Sequence, residues 1–127
     1  MEYKNYNANP KQRRTGDCVI RAISVAFDQS WEDTYTDLFN IALKYCYAIS
    51  CKDNFKKYLD IRGYKMHKMP VHEDGKKYTI SDFIDTHGDT DKTYLILIRG
   101  HLTVVKQNVL YDTWNCSKKY MGNYWVI

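Results

Sequence analysis

Apolar side chains recur every three or four positions through the first half of the chain, which is the spacing typical of amphipathic helices. The first such segment has apolar side chains at Ile20, Ile23, Ala26 and Phe27. Asp17, or Thr15 slightly upstream, is its predicted N-cap, because short polar side chains accept hydrogen bonds from the free N–H groups of a first helical turn. Cys18 is therefore expected in the first turn of this helix.

Two further helices are predicted before the middle of the chain. Residues 30–33 have the sequence Ser-Trp-Glu-Asp, which resembles a capping box, and the apolar positions that follow keep helical spacing to about Cys46. Residues 52–62 show the same spacing and end at Gly63. Glycine commonly stops a helix because it adopts the left-handed conformation without strain.

The second half of the chain changes to short runs rich in β-branched and aromatic residues. A short helix is expected at residues 79–88. Strands are predicted at residues 64–69, 94–98, 102–106, 109–111 and 124–127. Residues 94–98 are apolar on both faces, so this strand is expected at the centre of the sheet, covered by helices. The whole pattern predicts an α+β fold with an N-terminal helical layer packed on a C-terminal antiparallel sheet.

Length and composition indicate one domain. The chain has 127 residues, of which 44% are hydrophobic, and this suits a single core. No apolar run is long enough to cross a bilayer. Residues 1–14 form a polar, basic N-terminal segment without the apolar stretch of a secretory signal. We therefore expect a soluble, cytoplasmic protein with no membrane insertion.

The cysteines are the next informative residue type. There are four of them, at Cys18, Cys46, Cys51 and Cys116. In a secreted protein they could form two disulfides, but in the reducing cytoplasm they are expected to be free thiols. Cys46 and Cys51 with His67 or His72 could also be zinc ligands. Because the spacing is loose and no second close pair accompanies them, neither a metal nor another cofactor is predicted.

A cysteine, a histidine and an aspartate occupy positions that favour thiol chemistry. Only the thiolate form of cysteine attacks a carbonyl, and the N-terminus of a helix stabilises that charge at Cys18. His101 begins a predicted strand, and a turn at Gln107 and Asn108 leads into the next strand, which delivers Asp112. The hairpin would let Asp112 accept the N–H of His101 and hold its other ring nitrogen toward the sulfur.

These residues resemble the papain-like cysteine peptidases, and within that clan they are most similar to the peptidase domain of bacteriocin-processing transporters. In that domain a glutamine lies six residues before the cysteine of an Asp-Cys pair, a small residue follows on the helix, a histidine begins a valine-rich strand and an aspartate ends the next strand. The matching residues here are Gln12, Asp17, Cys18, Ala22, His101, Val104, Val105 and Asp112. The likeness covers the two ends of the chain and not its middle.

The resemblance implies a papain-like fold and a cysteine peptidase or related thiol hydrolase in bacterial or phage surroundings. Its substrate would be a peptide or protein, cleaved at a peptide or isopeptide amide, and transfer to another acceptor is an open variant of the same chemistry. Cys18 would be the catalytic nucleophile, His101 the base and then the acid, and Asp112 the residue that orients His101.

The resemblance also implies roles for residues around this triad. Gln12 and the backbone N–H of Cys18 would form the oxyanion hole, although Asn7 or Asn9 could supply the side-chain amide instead. Papain-like enzymes often place a tryptophan two residues after the orienting residue, and Trp114 matches it. Trp114 would shield the contact between the histidine and the aspartate from water.

Two other functions fit the same sequence. The formal net charge is +4 and basic residues lie among tyrosines, a combination that can bind nucleic acid. These basic residues are Lys11, Arg13, Arg14, Lys118 and Lys119. The excess is modest, so nucleic acid is the less favoured partner, and an acidic peptide or protein would use the charge equally well. The other alternative is an inactive papain-like binding or inhibitor protein that docks on a protein partner.

Overall fold

Four helices and one six-stranded sheet make up the computed structural model, which describes residues 1–127. The helices are α1 (Cys18–Ala26), α2 (Trp31–Tyr45), α3 (Lys52–Ile61) and α4 (Ile80–His87). The strands are β1 (Glu2–Asn5), β2 (Met66–His67), β3 (Thr93–Ile98), β4 (His101–Lys106), β5 (Val109–Asp112) and β6 (Tyr124–Val126). The predicted α+β class is confirmed, and none of these helices is both long and apolar enough to span a bilayer.

The sheet is mixed, which corrects the prediction of an antiparallel sheet. Its strand order is β1-β5-β4-β3-β6-β2. Every pair is antiparallel except β1 with β5, where Tyr3 lies beside Leu110 and Asn5 beside Asp112 in parallel register. Residues 1–14 are therefore more than a polar segment, because their first part adds an edge strand to the sheet. An edge strand exposes most of its side chains, so it lacks a hydrophobic pattern.

Apolar side chains cover both faces of the sheet. One buried cluster joins α1, α2 and α3 to one face, with Ile23, Leu38 and Leu59 packed against Leu95 and Trp125 of the sheet. A second cluster joins α4 to the opposite face, and its members include Ile80, Phe83, Ile96, Leu110 and Met121. Strand β3 is central and alternates between the two clusters, as the two-sided apolar pattern of residues 94–98 predicted.

Local signals account for the ends of the helices. The Ser30 hydroxyl accepts a hydrogen bond from the backbone N–H of Asp33 at the start of α2, and Thr79 does the same for Asp82 at the start of α4. Helix α3 ends before Gly63, whose φ of +86° lies in the left-handed region. Loss of an N-cap hydrogen bond such as that of Ser30 or Thr79 costs about 1 kcal/mol of helix stability. These caps and Gly63 therefore determine where the three helices begin or end.

Strand β2 is shorter than predicted. Residues 64–69 alternate in polarity, yet only Met66 and His67 pair with the sheet, opposite Trp125 and Tyr124 of β6. They form the second edge of the sheet, where a partner is present on one side only. The extent of pairing there is decided by the three-residue length of β6 and not by the alternation of residues 64–69.

Strands β4 and β5 form a hairpin with a two-residue loop. Gln107 and Asn108 have φ values of +49° and +63°, and positive φ at both loop positions defines the type I′ turn that matches the twist of a hairpin. Lys106 then pairs with Val109. This short loop confirms the predicted turn and determines which residues of the two strands face each other.

Candidate active site

Cys18 is the first residue of α1, where backbone N–H groups have no partner within the helix. Asp17 occupies the N-cap position as predicted, but its side chain makes no capping hydrogen bond. The first-turn N–H groups therefore lack the carboxylate that usually satisfies them, and their positive partial charge remains directed toward Cys18. The thiol itself is half-buried and lies at the edge of an open cleft.

The Asp17 carboxylate is buried and accepts hydrogen bonds from three side chains. One oxygen, Oδ1, accepts a hydrogen bond of 2.9 Å from Nε of Arg21. The other, Oδ2, accepts from Nε1 of Trp31 at 2.9 Å and from Nδ2 of Asn9 at 3.1 Å. These partners explain why Asp17 does not cap the helix. They fix the position of the helix turn that carries Cys18.

His101 connects the Asp112 carboxylate to the Cys18 thiol. Its Nε2 atom lies 2.6 Å from Oδ2 of Asp112, and its ring lies beside Cys18 along the same cleft, close enough to lower the pKa of that thiol. Because Nε2 is occupied by Asp112, the nitrogen available to the sulfur is Nδ1. The structure thus brings Cys18, His101 and Asp112 together in the order that thiol catalysis requires.

The surroundings of the Cys18 sulfur favour its thiolate form. Burial by itself would raise the pKa of Cys18, but the hydrogen bond with His101 and a backbone hydrogen bond with Leu102 act in the opposite direction. The positive charges of His101 and Arg21 add to this effect. The net result is a pKa of Cys18 below its ordinary value, which increases the thiolate fraction at neutral pH.

His101 and Asp112 are stabilised as a charged pair. Burial would lower the pKa of His101, but the hydrogen bonds to Asp112 and Cys18 and their negative charges raise that pKa to about 9. Burial would likewise raise the pKa of Asp112, and hydrogen bonds from His101, Thr103 and the Thr113 backbone outweigh it, so the pKa of Asp112 is lowered. At neutral pH the pair is therefore imidazolium and carboxylate.

Three residues that the sequence analysis did not select hold Asp112 in place. The Thr103 hydroxyl donates to Oδ2 at 2.7 Å, and the Thr113 backbone N–H donates to Oδ1 at 2.7 Å. Arg21 donates more weakly to Oδ1 at 3.4 Å and links it to Asp17. Two signals could have found them. Asp17 and Arg21 have the i, i+4 spacing of a helical ion pair, and the hairpin register places Thr103 opposite Asp112.

Strand β1 also contributes to the position of Asp112. The backbone N–H of Tyr6, just after the strand, donates to the Asp112 carbonyl at 2.9 Å. The Tyr3 hydroxyl donates to the same carbonyl at 3.3 Å. The edge strand that the hydrophobic pattern did not reveal is thus connected directly to the residue that orients His101.

Cys116 is a second thiol beside Asp112. It is fully buried, and its sulfur lies 3.9 Å from Oδ2. Burial and the negative charge of Asp112 raise the pKa of Cys116 to about 11, so this thiol is protonated at neutral pH. His101, Asp112 and Cys116 lie close enough to resemble a metal site. The carboxylate oxygen of this group, Oδ2 of Asp112, is already hydrogen-bonded to His101 and Thr103.

The cysteines and histidines considered as zinc ligands do not come together. The only group of three potential ligand residues close enough to share an ion is the one at Asp112. His67 stacks on Tyr124 with ring centroids 4.9 Å apart, and His72 stacks on Tyr78 at 3.7 Å. These two histidines are therefore part of aromatic contacts.

Trp114 and Gln12 have different relations to the triad. The Trp114 ring lies against His101 with centroids 5.4 Å apart, and it lines the cleft beside the thiol. Gln12 does not line this cleft, and its amide nitrogen donates to the carbonyl oxygens of Asn7 and Asn9. The structure therefore does not bring the Gln12 amide to Cys18, which departs from the expectation for an oxyanion hole.

The two alternative amides are also engaged within the N-terminal loop. Nδ2 of Asn7 donates to the carbonyl of Arg13, and Nδ2 of Asn9 donates to Asp17. Gln12 has a φ of +54°, so the loop bends sharply at this residue. The bend directs the amides of the loop to the loop itself.

An open cleft of about 1130 Å³ extends from the triad. Cys18, His101 and Trp114 lie along it, and Phe55, Leu97 and Met121 give it an apolar floor. A cleft of this size accommodates several residues of an extended peptide. The Cys18 sulfur therefore lies beside an open groove.

No protein-family model, curated protein or solved structure matches the chain. The functional argument consequently depends on the geometry of the site. The residues that carry it are the nucleophile at a helix start, the histidine at a strand start and the carboxylate that closes the hairpin.

Proposed function

We propose that this protein is a papain-like thiol hydrolase that cleaves a peptide or isopeptide amide. The observation that carries the proposal is the position of His101, whose Nε2 atom is hydrogen-bonded to Asp112 and whose ring lies close enough to Cys18 to lower the pKa of that thiol. The lowered pKa of Cys18 and the raised pKa of His101 support a thiolate and imidazolium pair at neutral pH. A reducing compartment such as the cytoplasm would keep this thiol free.

The first half of the reaction forms an acyl-enzyme. The Cys18 thiolate attacks the substrate carbonyl carbon, a carbon–sulfur bond forms and the carbonyl electron pair moves onto oxygen. Nδ1 of His101 then donates its proton to the amide nitrogen. The carbon–nitrogen bond breaks, the amine leaves, and a thioester remains on Cys18.

The second half releases the acid. Neutral His101 takes a proton from water at Nδ1, and the resulting hydroxide adds to the thioester carbonyl. Collapse of this intermediate breaks the carbon–sulfur bond and returns Cys18 to its thiolate form. Asp112 keeps Nε2 bonded in both halves, so the same nitrogen of His101 acts first as acid and then as base.

The helix start supplies the stabilisation of the oxyanion. The backbone N–H of Cys18 belongs to the first turn of α1, which has no side-chain cap, and is available to an oxygen bound next to the sulfur. We assign no such role to Gln12 in the observed loop conformation, because its amide is bonded to Asn7 and Asn9. Trp114, whose ring lies tilted against that of His101, would keep water from the contact with Asp112.

The proposal is tested by the reactivity of the four cysteines. Iodoacetamide at pH 6 should alkylate Cys18 at least about tenfold faster than Cys46, because thiolate is the reacting form. Cys46 is the matched control, since it is exposed. Peptide mapping by mass spectrometry measures each rate separately.

Turnover is tested with the same protein and a mixed peptide library. The wild-type chain should release new amino termini and form a mass adduct on Cys18, whereas Cys18→Ala should do neither while keeping its melting temperature. Alkylation of Cys18 no faster than that of Cys46, together with an unreactive library, would overturn the hydrolase and favour a binding or inhibitor protein.

A further inference from the structure

Apart from the thiolate and imidazolium pair of the proposed site, the charged side chains along the cleft are all basic. Lys52, Lys77, Arg99 and Lys119 line it, and no aspartate or glutamate does. The chain as a whole has 19 basic and 15 acidic residues, so composition alone does not explain a wall without any acidic residue. The charge of this cleft is a local property.

These four cations come from separate parts of the chain. Lys52 begins α3, Arg99 lies in the turn between β3 and β4, and Lys77 and Lys119 belong to the loops that precede α4 and β6. Folding therefore collects them around the cleft from four different segments. Arg99 is two residues from His101, and both line the same cleft.

None of the four cations is neutralised by the protein. All of them are exposed, and the ion pairs of the structure involve other residues. Neighbouring lysines behave differently, because Lys76 pairs with Asp74 and Lys106 pairs with Asp28. Unpaired basic side chains along one cleft create a positive potential that attracts an anionic ligand.

We propose that the substrate is an acidic peptide segment, bound with its carboxylates at Lys52, Lys77, Arg99 and Lys119 and an apolar residue on the floor formed by Phe55, Leu97 and Met121. This inference rests on the proposed hydrolase function and adds the class of substrate. The cations select and orient an extended acidic chain, and the apolar floor holds one uncharged side chain beside the scissile bond.

The chemistry of the site favours a peptide over a nucleic acid. Both are anionic and both would be attracted by the cleft, but the nucleophile at its end is a thiolate beside an imidazolium, which attacks an acyl carbon. A phosphodiester chain offers no such carbon. The apolar floor also suits a side chain better than a phosphate backbone.

Binding is tested with Cys18→Ala, which keeps the four basic side chains of the cleft and cannot consume the probe. The probes are fluorescein-labelled decapeptides that alternate alanine with glutamate, glutamine or lysine, and a ten-residue oligothymidylate. Fluorescence anisotropy gives Kd at low and at physiological salt. The glutamate peptide should bind about tenfold more tightly than the glutamine peptide, since several modest surface charge contacts add, and salt should weaken it.

Charge reversal locates the binding. Lys52→Glu with Arg99→Glu, in the Cys18→Ala background, should weaken binding of the glutamate peptide by about tenfold or more. The matched control is Lys65→Glu with Lys118→Glu, which changes the net charge equally at exposed residues outside the cleft and should leave Kd within about twofold. Melting temperatures exclude unfolding of either variant.

The outcomes separate this inference from the function on which it rests. Equal binding of the glutamate and glutamine peptides, or equal losses in the two charge-reversal variants, would overturn the acidic substrate even if Cys18 alkylates rapidly and the hydrolase is supported. Tighter binding of the oligothymidylate, lost on Lys52→Glu with Arg99→Glu, would overturn it in favour of nucleic acid. Selective binding of the glutamate peptide supports it whether or not turnover is detected.

Discussion

Cys18 and Cys116 belong to the same network around Asp112, and their surroundings give the two thiols opposite ionisation. Cys18 lies at a helix start beside His101 and has a lowered pKa, whereas Cys116 is fully buried beside the carboxylate and has a pKa raised to about 11. A thiol next to the imidazolium end of the pair gains a compensating charge, and one next to the carboxylate end meets a like charge. The order of groups along the network therefore decides which thiol can react.

Removal of His101 should abolish most of this contrast and has the largest expected effect. In His101→Gln the Cys18 sulfur loses its main hydrogen-bond partner and a positive charge, so its pKa should rise. Peptide hydrolysis should fall about a thousandfold, within the range for loss of a general acid and base. Alkylation at pH 6, followed by mass spectrometry, should slow markedly at Cys18. Unchanged rates of both reactions would contradict the assignment of His101.

The pH dependence of stability should also reveal the charged pair of His101 and Asp112. Because the pKa of His101 is raised from 6.5 to about 9, the stability that this residue contributes is fully present below pH 6.5 and is lost as the pH rises through 9. The difference in unfolding free energy between the wild type and His101→Gln should therefore shrink by up to about 3 kcal/mol over this range.

Urea unfolding at pH 6, 7.5 and 9 measures this difference. His67→Gln is the matched control, because this histidine stacks on Tyr124 at the far edge of the sheet and has no carboxylate partner. It removes a histidine without breaking an ion pair, so a pH dependence found only for His101→Gln is assigned to the contact with Asp112. A stability difference for His101→Gln that grows with pH would show the opposite charge state for the pair.

Loss of the Thr103 hydroxyl should have the smallest of the expected effects on stability and hydrolysis. Thr103→Val removes a 2.7 Å donor to Oδ2 of Asp112 and keeps the shape of a buried side chain. We expect a loss of about 1–2 kcal/mol in unfolding free energy and a hydrolysis rate reduced a few-fold. Chemical denaturation and steady-state kinetics measure the two effects.

The matched control for this change is Thr36→Val, at an exposed helical position where the hydroxyl bonds only to the Glu32 carbonyl. It should alter stability by no more than about 0.5 kcal/mol. Equal effects of the two substitutions would show that the Thr103 contact does not help to hold Asp112.

The elements with local signals were predictable from the sequence. Helix α2 begins at a serine cap, α3 ends before a glycine with positive φ, and a two-residue turn joins β4 to β5. Strand β3 has apolar side chains on both faces, which predicted its central place. Each of these features is contained within a few consecutive residues, so its physical cause can be recognised without the rest of the fold.

Features that depend on distant partners were not predictable in this way. Strand β1 has one core-facing side chain, Tyr3, and exists because β5 offers it a free edge. Asp17 is a residue type typical of N-caps, but its carboxylate accepts hydrogen bonds from Arg21, Trp31 and Asn9. In each case a tertiary contact competes successfully with the local preference.

The two-residue turn of the hairpin makes the region between His101 and Asp112 intolerant of changes in length. Side chains on a strand alternate between the faces of the sheet, so one inserted residue that shifted the register would turn Asp112 away from Thr103 and His101. The loops that carry Lys77 and Lys119 are not strands of the sheet. A change in their length therefore does not reverse the direction of the triad side chains. Insertions and deletions should therefore be absent from the hairpin and accumulate around the cleft, where they would alter the choice of substrate and leave the reacting groups in place.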